Sequence, residues 1–109
     1  MQQSGYYTQR QLMIGKLSNL LGTPLRAAIL ESIAKNNQQP EHELADLHQI
    51  GMDTLRKNLR ALVKGGFIKR TTVGRSKGCV YSLNWDKLKE YKMIVDELYY
   101  EVRELYERK

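Results

Sequence analysis

The chain has a single cysteine, Cys79, and that scarcity removes two chemistries at once. No disulfide can close within the chain, and no metal site can be built from its cysteines alone. Histidine is almost as scarce, with only His42 and His48. Both fall on or just past one short predicted helix, a poor geometry for sharing an ion, and zinc would need further ligands. The expected side-chain setting for both is solvent. No apolar run approaches the roughly 20 residues of a membrane span. The opening MQQSGYYTQR lacks the basic-then-apolar layout of a secretory signal. A cytoplasmic protein with no membrane partner is the expectation. Enzyme chemistry also lacks parts. There is no Ser-His-Asp set, no phosphate-cradling glycine loop and no histidine pair on a helix. The reading is a non-enzyme with no cofactor and no metal.

Acid is missing from one long window. Between Thr54 and Gly78 stand eight Lys or Arg (Arg56, Lys57, Arg60, Lys64, Lys69, Arg70, Arg75, Lys77) and no Asp or Glu. The whole chain carries only +6, so everything outside the window sums to a small negative charge. Excess positive charge gathered on one helix and one loop is what a duplex-binding surface needs, because phosphate neutralisation supplies much of the affinity. At 109 residues and 41% apolar content the chain has the means for one core. It is too apolar to be disordered. We find no internal repeat and no linker.

Residues 1 to 7 read as a loose arm. From Thr8 the apolar positions Leu12, Met13, Leu17, Leu20 and Leu21 recur at helical spacing. Gly22 stops that helix, Thr23 is an N-cap candidate, and Pro24 occupies the first position of the next, whose Leu25, Ile29, Leu30 and Ile33 face inward. The polar run Lys35 to Gln39 reads as a loop, and Pro40 as the opening of a short helix, Glu41 to His48, with Leu44, Ala45 and Leu47 apolar. Gln49-Ile50-Gly51 is a turn, with Ile50 as its apolar plug. The helix from about Met52 to Lys64 places Leu55, Leu59, Leu62 and Val63 on one stripe and Asp53, Thr54, Arg56, Lys57 and Arg60 on the other side. Gly65-Gly66 ends it through a left-handed cap. Strand composition marks Phe67 to Arg70 and Cys79 to Leu83, joined by a basic loop from Thr71 to Gly78.

Asn84 is placed to cap a final helix running from Trp85 to the end. Along it Leu88, Tyr91, Val95, Leu98, Val102 and Leu105 alternate steps of three and four, a coiled-coil seam widened by Ile94, Tyr99 and Tyr106. Pairing with a second copy is favoured over folding back on the first helix, because the stripe exceeds what one small core can cover. Tyr91, Tyr99, Tyr100 and Tyr106 fit interface packing, and Trp85 the joint between the strands and the last helix. Cys79 fits a buried, inert thiol, with an accessible redox role as the alternative given Arg75 and Lys77 nearby in sequence.

The phrases Leu21-Gly22-Thr23-Pro24-Leu25-Arg26, Glu43-Leu44-Ala45-Asp46-Leu47, Thr54-Leu55-Arg56-Lys57-Asn58-Leu59-Arg60-Ala61-Leu62 and Gly65-Gly66-Phe67-Ile68, in that order and spacing, resemble the winged helix-turn-helix regulators. The ArsR type is the nearest match and the MarR type a close second, over about residues 17 to 83. The resemblance implies a mainly α fold with a small β-hairpin wing, a DNA-binding domain over 8–83 and a dimerisation helix over 84–109 within one domain. Metal-sensing members carry paired cysteines on the helix matching Glu41 to His48, where this chain has Leu44, Ala45 and Leu47. Others place Asp and His ligands on the last helix, which here has no His or Cys.

The expected function is sequence-specific binding of double-stranded DNA by a homodimeric repressor, with any small-molecule effector left open. On the recognition helix, Arg56 and Lys57 are chosen for base edges, with Thr54 beside them and Asp53 for cytosine N4 or for the helix start. Arg60, Lys64 and Lys69 are assigned to phosphates, and Arg75 and Lys77 to an adjacent minor groove. The rival reading is a winged helix that docks an acidic protein partner.

Overall fold

The computed structural model describes residues 7–74 and 78–108. Five helices and a small antiparallel sheet follow in the order α1 (Gln9–Leu21), α2 (Pro24–Lys35), β1 (Gln39–Pro40), α3 (Glu41–His48), α4 (Met52–Lys64), β2 (Ile68–Thr72), β3 (Cys79–Leu83) and α5 (Trp85–Glu107). Thr8 starts α1 with a reciprocal capping box, its side chain accepting from the Gln11 amide while the Gln11 side chain accepts from the Thr8 amide. Thr23 caps α2 in the expected way, accepting from the Arg26 amide at 3.1 Å. Gly22 is held between these helices by a close approach, since a Cβ there would lie 2.5 Å from the Ser18 carbonyl oxygen.

α3 and α4 fall where their apolar spacing places them. Leu44, Ala45, Leu55, Leu59 and Leu62 enter a core shared with Ile29, Ile33, Phe67, Ile68 and Tyr81. Ile50 packs on this core from the turn, whose tightness rests on Gln49 in the left-handed region at φ 53°. Leu12, Met13, Leu47 and Val63, all members of the apolar helical spacing, remain exposed. The core takes only the centre of each stripe, and a two-turn helix such as α3 has room for one apolar row.

α4 ends in a Schellman motif. Gly66 adopts φ 80°, its amide donates to the Val63 carbonyl, and the Phe67 amide reaches back to the Leu62 carbonyl. That turn aims Phe67 into the core and begins β2 at Ile68, later than Phe67, and β2 runs on through Thr72. The sheet order is β1-β3-β2, and β1 corrects the loop reading of Gln39. Gln39 pairs with Tyr81 and Pro40 with Val80, so Pro40 is the residue before α3 and not its first helical position.

Asn84 also departs from expectation. Its side chain does not cap α5; it donates to the Gly66 carbonyl at 2.8 Å and so ties the α4–β2 turn to the start of α5. Trp85 plugs nothing and is 59% exposed. α5 runs antiparallel to α1, with Tyr91 hydrogen-bonded to Ser18 near one end and Glu101 paired with Arg10 near the other.

Candidate nucleic-acid interface

One face of α4 is committed to the core and the other to solvent. Asp53, Thr54, Arg56, Lys57, Arg60 and Lys64 are all exposed, while Leu55, Asn58, Leu59 and Leu62 are buried. Asn58 is the polar exception, and its amide is satisfied on both sides. Its Nδ2 donates to the Thr54 carbonyl at 2.8 Å, and its Oδ1 accepts from Arg26 Nε at 2.9 Å. Arg26 also donates to the Asn19 and Leu20 carbonyls, which the end of α1 leaves without helical partners. The basic face of α4 is thereby held in a fixed rotation against α1 and α2.

Glu41, a residue the sequence reading assigned no role, organises the start of that face. Its Oε1 accepts from Arg56 Nε at 3.2 Å, and its Oε2 accepts from the Tyr81 hydroxyl at 2.9 Å. A pair as open as Glu41–Arg56 contributes little to stability. Its effect is orientational, because it holds the Arg56 guanidinium through Nε and leaves its two terminal nitrogens out of this pair. The Tyr81 phenol is pushed up to about 12, first by burial and then by its bond to Glu41.

That shift has a sign that can be checked. The folded state holds the Tyr81 proton more tightly than a free tyrosine does, so this stabilisation is complete below the ordinary value of 10.0 and is lost as pH rises toward about 12. The stability advantage of the wild-type protein over Tyr81→Phe, read by urea denaturation, is expected to be constant at neutral pH and to close across that window. A gap that stays constant through pH 12 would show that Tyr81 is not held in this way.

The sheet register sorts the remaining basic residues. Arg70 pairs with Tyr81 and Thr72 with Cys79, which puts these side chains on the sheet face that looks toward α4. Lys69 pairs with Ser82 and lies on the opposite face, so the register brings Arg70 to α4 and turns Lys69 away. Arg70 Nε donates to Cys79 Sγ at 3.1 Å, and Cys79 is half-buried where a buried thiol was expected. The signal for Arg70 was the alternation set by Tyr81, legible only once the pairing is known. Arg75 and Lys77 lie outside the described residues.

His48 is not solvent-facing as expected; its Nε2 lies 3.0 Å from the Ser32 hydroxyl. Among the described residues no three His, Cys, Asp or Glu side chains are grouped to hold a metal ion. No helix of the described chain is long and apolar enough to cross a membrane.

The seam along α5 divides in two. Leu88 and Tyr91 pack on the chain's own core, and the Tyr91 ring meets Phe67 edge-on with centroids 5.8 Å apart. Val102 and Leu105, by contrast, are 54% and 56% exposed. Two apolar hollows, of about 400 and 480 Å³, run along α5 and meet at Val95. The folding-back reading holds for the first part of α5, and the second part leaves its apolar side chains open.

Two helices joined by a tight turn, the second presenting a basic face, are followed directly by a two-stranded hairpin and a long helix. The chain has the winged helix-turn-helix fold. Solved structures of that fold superpose on it over most of its length. An ArsR-like transcriptional regulator from Rhodococcus sp. RHA1 covers 90% of each chain with a TM-score of 0.76 at 18% identity. The homodimeric winged helix-turn-helix DNA-binding domain of a possible ArsR-family regulator from Mycobacterium bovis covers 91% of this chain and 94% of its own, with a TM-score of 0.63 at 15% identity. A MarR protein from Peptoclostridium difficile covers 90% of this chain and 65% of its own, with a TM-score of 0.59 at 18% identity. No protein-family model and no curated protein sequence matches the chain. In this fold α4 is the second helix of the helix-turn-helix and β2–β3 the wing.

Proposed function

We propose that this chain is a transcription regulator that binds double-stranded DNA in a sequence-specific manner, acting as a homodimeric repressor. One observation carries the reading: the recognition helix, α4, buries Leu55, Leu59 and Leu62 and leaves Arg56, Lys57, Arg60 and Lys64 together on its solvent face. A helix of about 10–12 Å diameter fits a major groove about 12 Å wide. Arg56, oriented through Glu41, and Lys57 meet base edges. Thr54 and Asp53 lie at the N-terminal end that enters first. Arg60 and Lys64 meet phosphates, and Arg75 and Lys77 are assigned to the flanking backbone or minor groove. The homodimeric state described for the Mycobacterium bovis neighbour, together with the open apolar seam on α5, supports two recognition helices acting on a pseudo-palindromic site.

The test is binding to random-sequence duplex DNA across a salt series, comparing the wild type with Arg56→Ala/Lys57→Ala. The wild type is expected to bind at low salt, with log K falling by about 0.9 per phosphate neutralised for each unit of log salt. The double variant is expected to bind roughly tenfold or more weakly. If a folded wild type shows no binding at low salt, the DNA reading fails and the basic face becomes a docking surface for an acidic protein.

A further inference from the structure

Glu41 is the first residue of α3, yet its carboxylate serves two other elements. Oε1 accepts from Arg56 Nε on α4 at 3.2 Å, and Oε2 accepts from the Tyr81 hydroxyl on β3 at 2.9 Å. Tyr81 is buried on the central strand of the sheet, so this anchor is a strand paired on both sides. The Glu41 side chain is 18% exposed and that of Arg56 52%. A largely buried carboxylate thus holds a half-open arginine. Among the described residues, Arg56 is the one cation of α4 paired with a carboxylate. That sets it apart from Lys57, Arg60 and Lys64 on the same face.

An arginine on a DNA-facing helix has two kinds of partner. Phosphate oxygens hold it without reading sequence, whereas guanine O6 and N7 accept from a guanidinium fork and do report sequence. The contact with Glu41 sorts the two. The terminal nitrogens of Arg56 can meet a guanine edge while Nε stays on Glu41. A phosphate that draws Arg56 away leaves Glu41 with the Tyr81 hydroxyl alone and brings a second anion near it. In free solution that loss is small, because the pair is open. Beneath a docked duplex water is displaced, and a carboxylate without its cation costs far more. We infer that Glu41 is a specificity-determining residue: tethered by Tyr81, it holds Arg56 for a guanine edge and penalises its use on phosphate. This rests on the DNA-binding reading and divides the labour within it, leaving Lys57, Arg60 and Lys64 to attract any duplex.

The test starts from duplexes that the wild-type full chain selects out of a randomised pool. Arg56→Ala then identifies the base pair at which a preference for guanine depends on Arg56, expected to be about tenfold in the wild type. Glu41→Ala is expected to cut that preference about fivefold and yet to bind random duplex about threefold more tightly. Its salt slope on random duplex should steepen by up to about 0.9, as Arg56 turns to phosphate. Glu41→Asp keeps the charge but is one methylene too short to span both contacts, and is expected to lose the preference as well. Tyr81→Phe keeps the ring in the core and is expected to weaken the preference several-fold. In an Arg56→Ala background, Glu41→Ala is expected to change the preference no further. A variant that had unfolded would lose both kinds of binding together, so opposed changes report positioning. Equal gains on selected and random duplex for Glu41→Ala, or a Glu41→Asp protein that reads like the wild type, would overturn the proposal, since Glu41 would then act through its charge alone. So would a selected sequence in which no base pair depends on Arg56. Each of those results leaves the DNA reading standing. A folded wild type that binds no duplex at low salt would overturn the DNA reading and this inference with it.

Discussion

A Val102→Glu/Leu105→Glu protein is expected to keep its fold, sediment as a monomer and lose roughly 100-fold or more of its affinity for a two-half-site operator. Both side chains are more than half exposed in the single chain, so the substitutions cost its own core nothing. They lie just beyond Glu101, which pairs with Arg10 of α1. In the proposed dimer a partner helix buries them. In a two-fold pairing each new carboxylate meets its counterpart or a neighbour across the seam, in an apolar setting where unpaired charge is costly. Loss of the proposed dimer would separate its two recognition helices, and the gain from binding two linked half-sites would go with it. Sedimentation velocity and operator binding read the two effects separately, with far-ultraviolet circular dichroism as the check on the fold. A variant that stays dimeric would move the interface elsewhere, and the exposed Leu12 and Met13 on α1 would be the next place to look.

Phe67→Ala should remove about 3–5 kcal/mol of stability, a large part of the roughly 5–15 kcal/mol that holds a domain of this size. Phe67 has no exposed surface and stands where four elements meet. The Schellman turn after α4 delivers it, its carbonyl accepts from the Asn84 amide, and its ring meets Tyr91 edge-on at an interplanar angle of 89°. Tyr91 in turn bonds Ser18 on α1. Alanine there leaves a cavity lined by parts too rigidly connected to collapse into it. Urea denaturation measures the loss, and Trp85→Ala provides the contrast. An exposed aromatic at 59% should change stability by no more than about 0.5 kcal/mol. A Phe67→Ala cost near that of Trp85→Ala would mean that the core is centred elsewhere.

Much of the fold was legible because the signals that set it are short-ranged. Thr23, Pro24 and the Gly65-Gly66 pair act on backbone groups within a turn of themselves. The stripe Leu55, Leu59, Leu62 needs only the helical repeat to be seen. The basic side of α4 was legible for the same reason, as the complement of that stripe. The candidate site was less complete. Glu41 precedes Arg56 by 15 positions and Tyr81 by 40, so no local pattern announces that one carboxylate serves both. Lys69 and Arg70 are indistinguishable by composition, and the pairing of β2 with β3 alone decides which of them turns toward α4.

By itself the amino-acid sequence determined the helices, the hairpin, the concentration of charge on α4 and the surplus apolar stripe on α5. Each depends on residue type and on spacing within a few residues. Tertiary structure alone decided that Gln39 and Pro40 form a strand against Tyr81 and Val80, that Asn84 serves Gly66 instead of capping α5, and that His48 meets Ser32. It also divided the α5 stripe, giving Leu88 and Tyr91 to the chain's own core and leaving Val102 and Leu105 open. The reason is geometric. A hydrogen bond or an apolar contact acts only over a few ångströms, and which distant residues come that close is settled when separate elements pack.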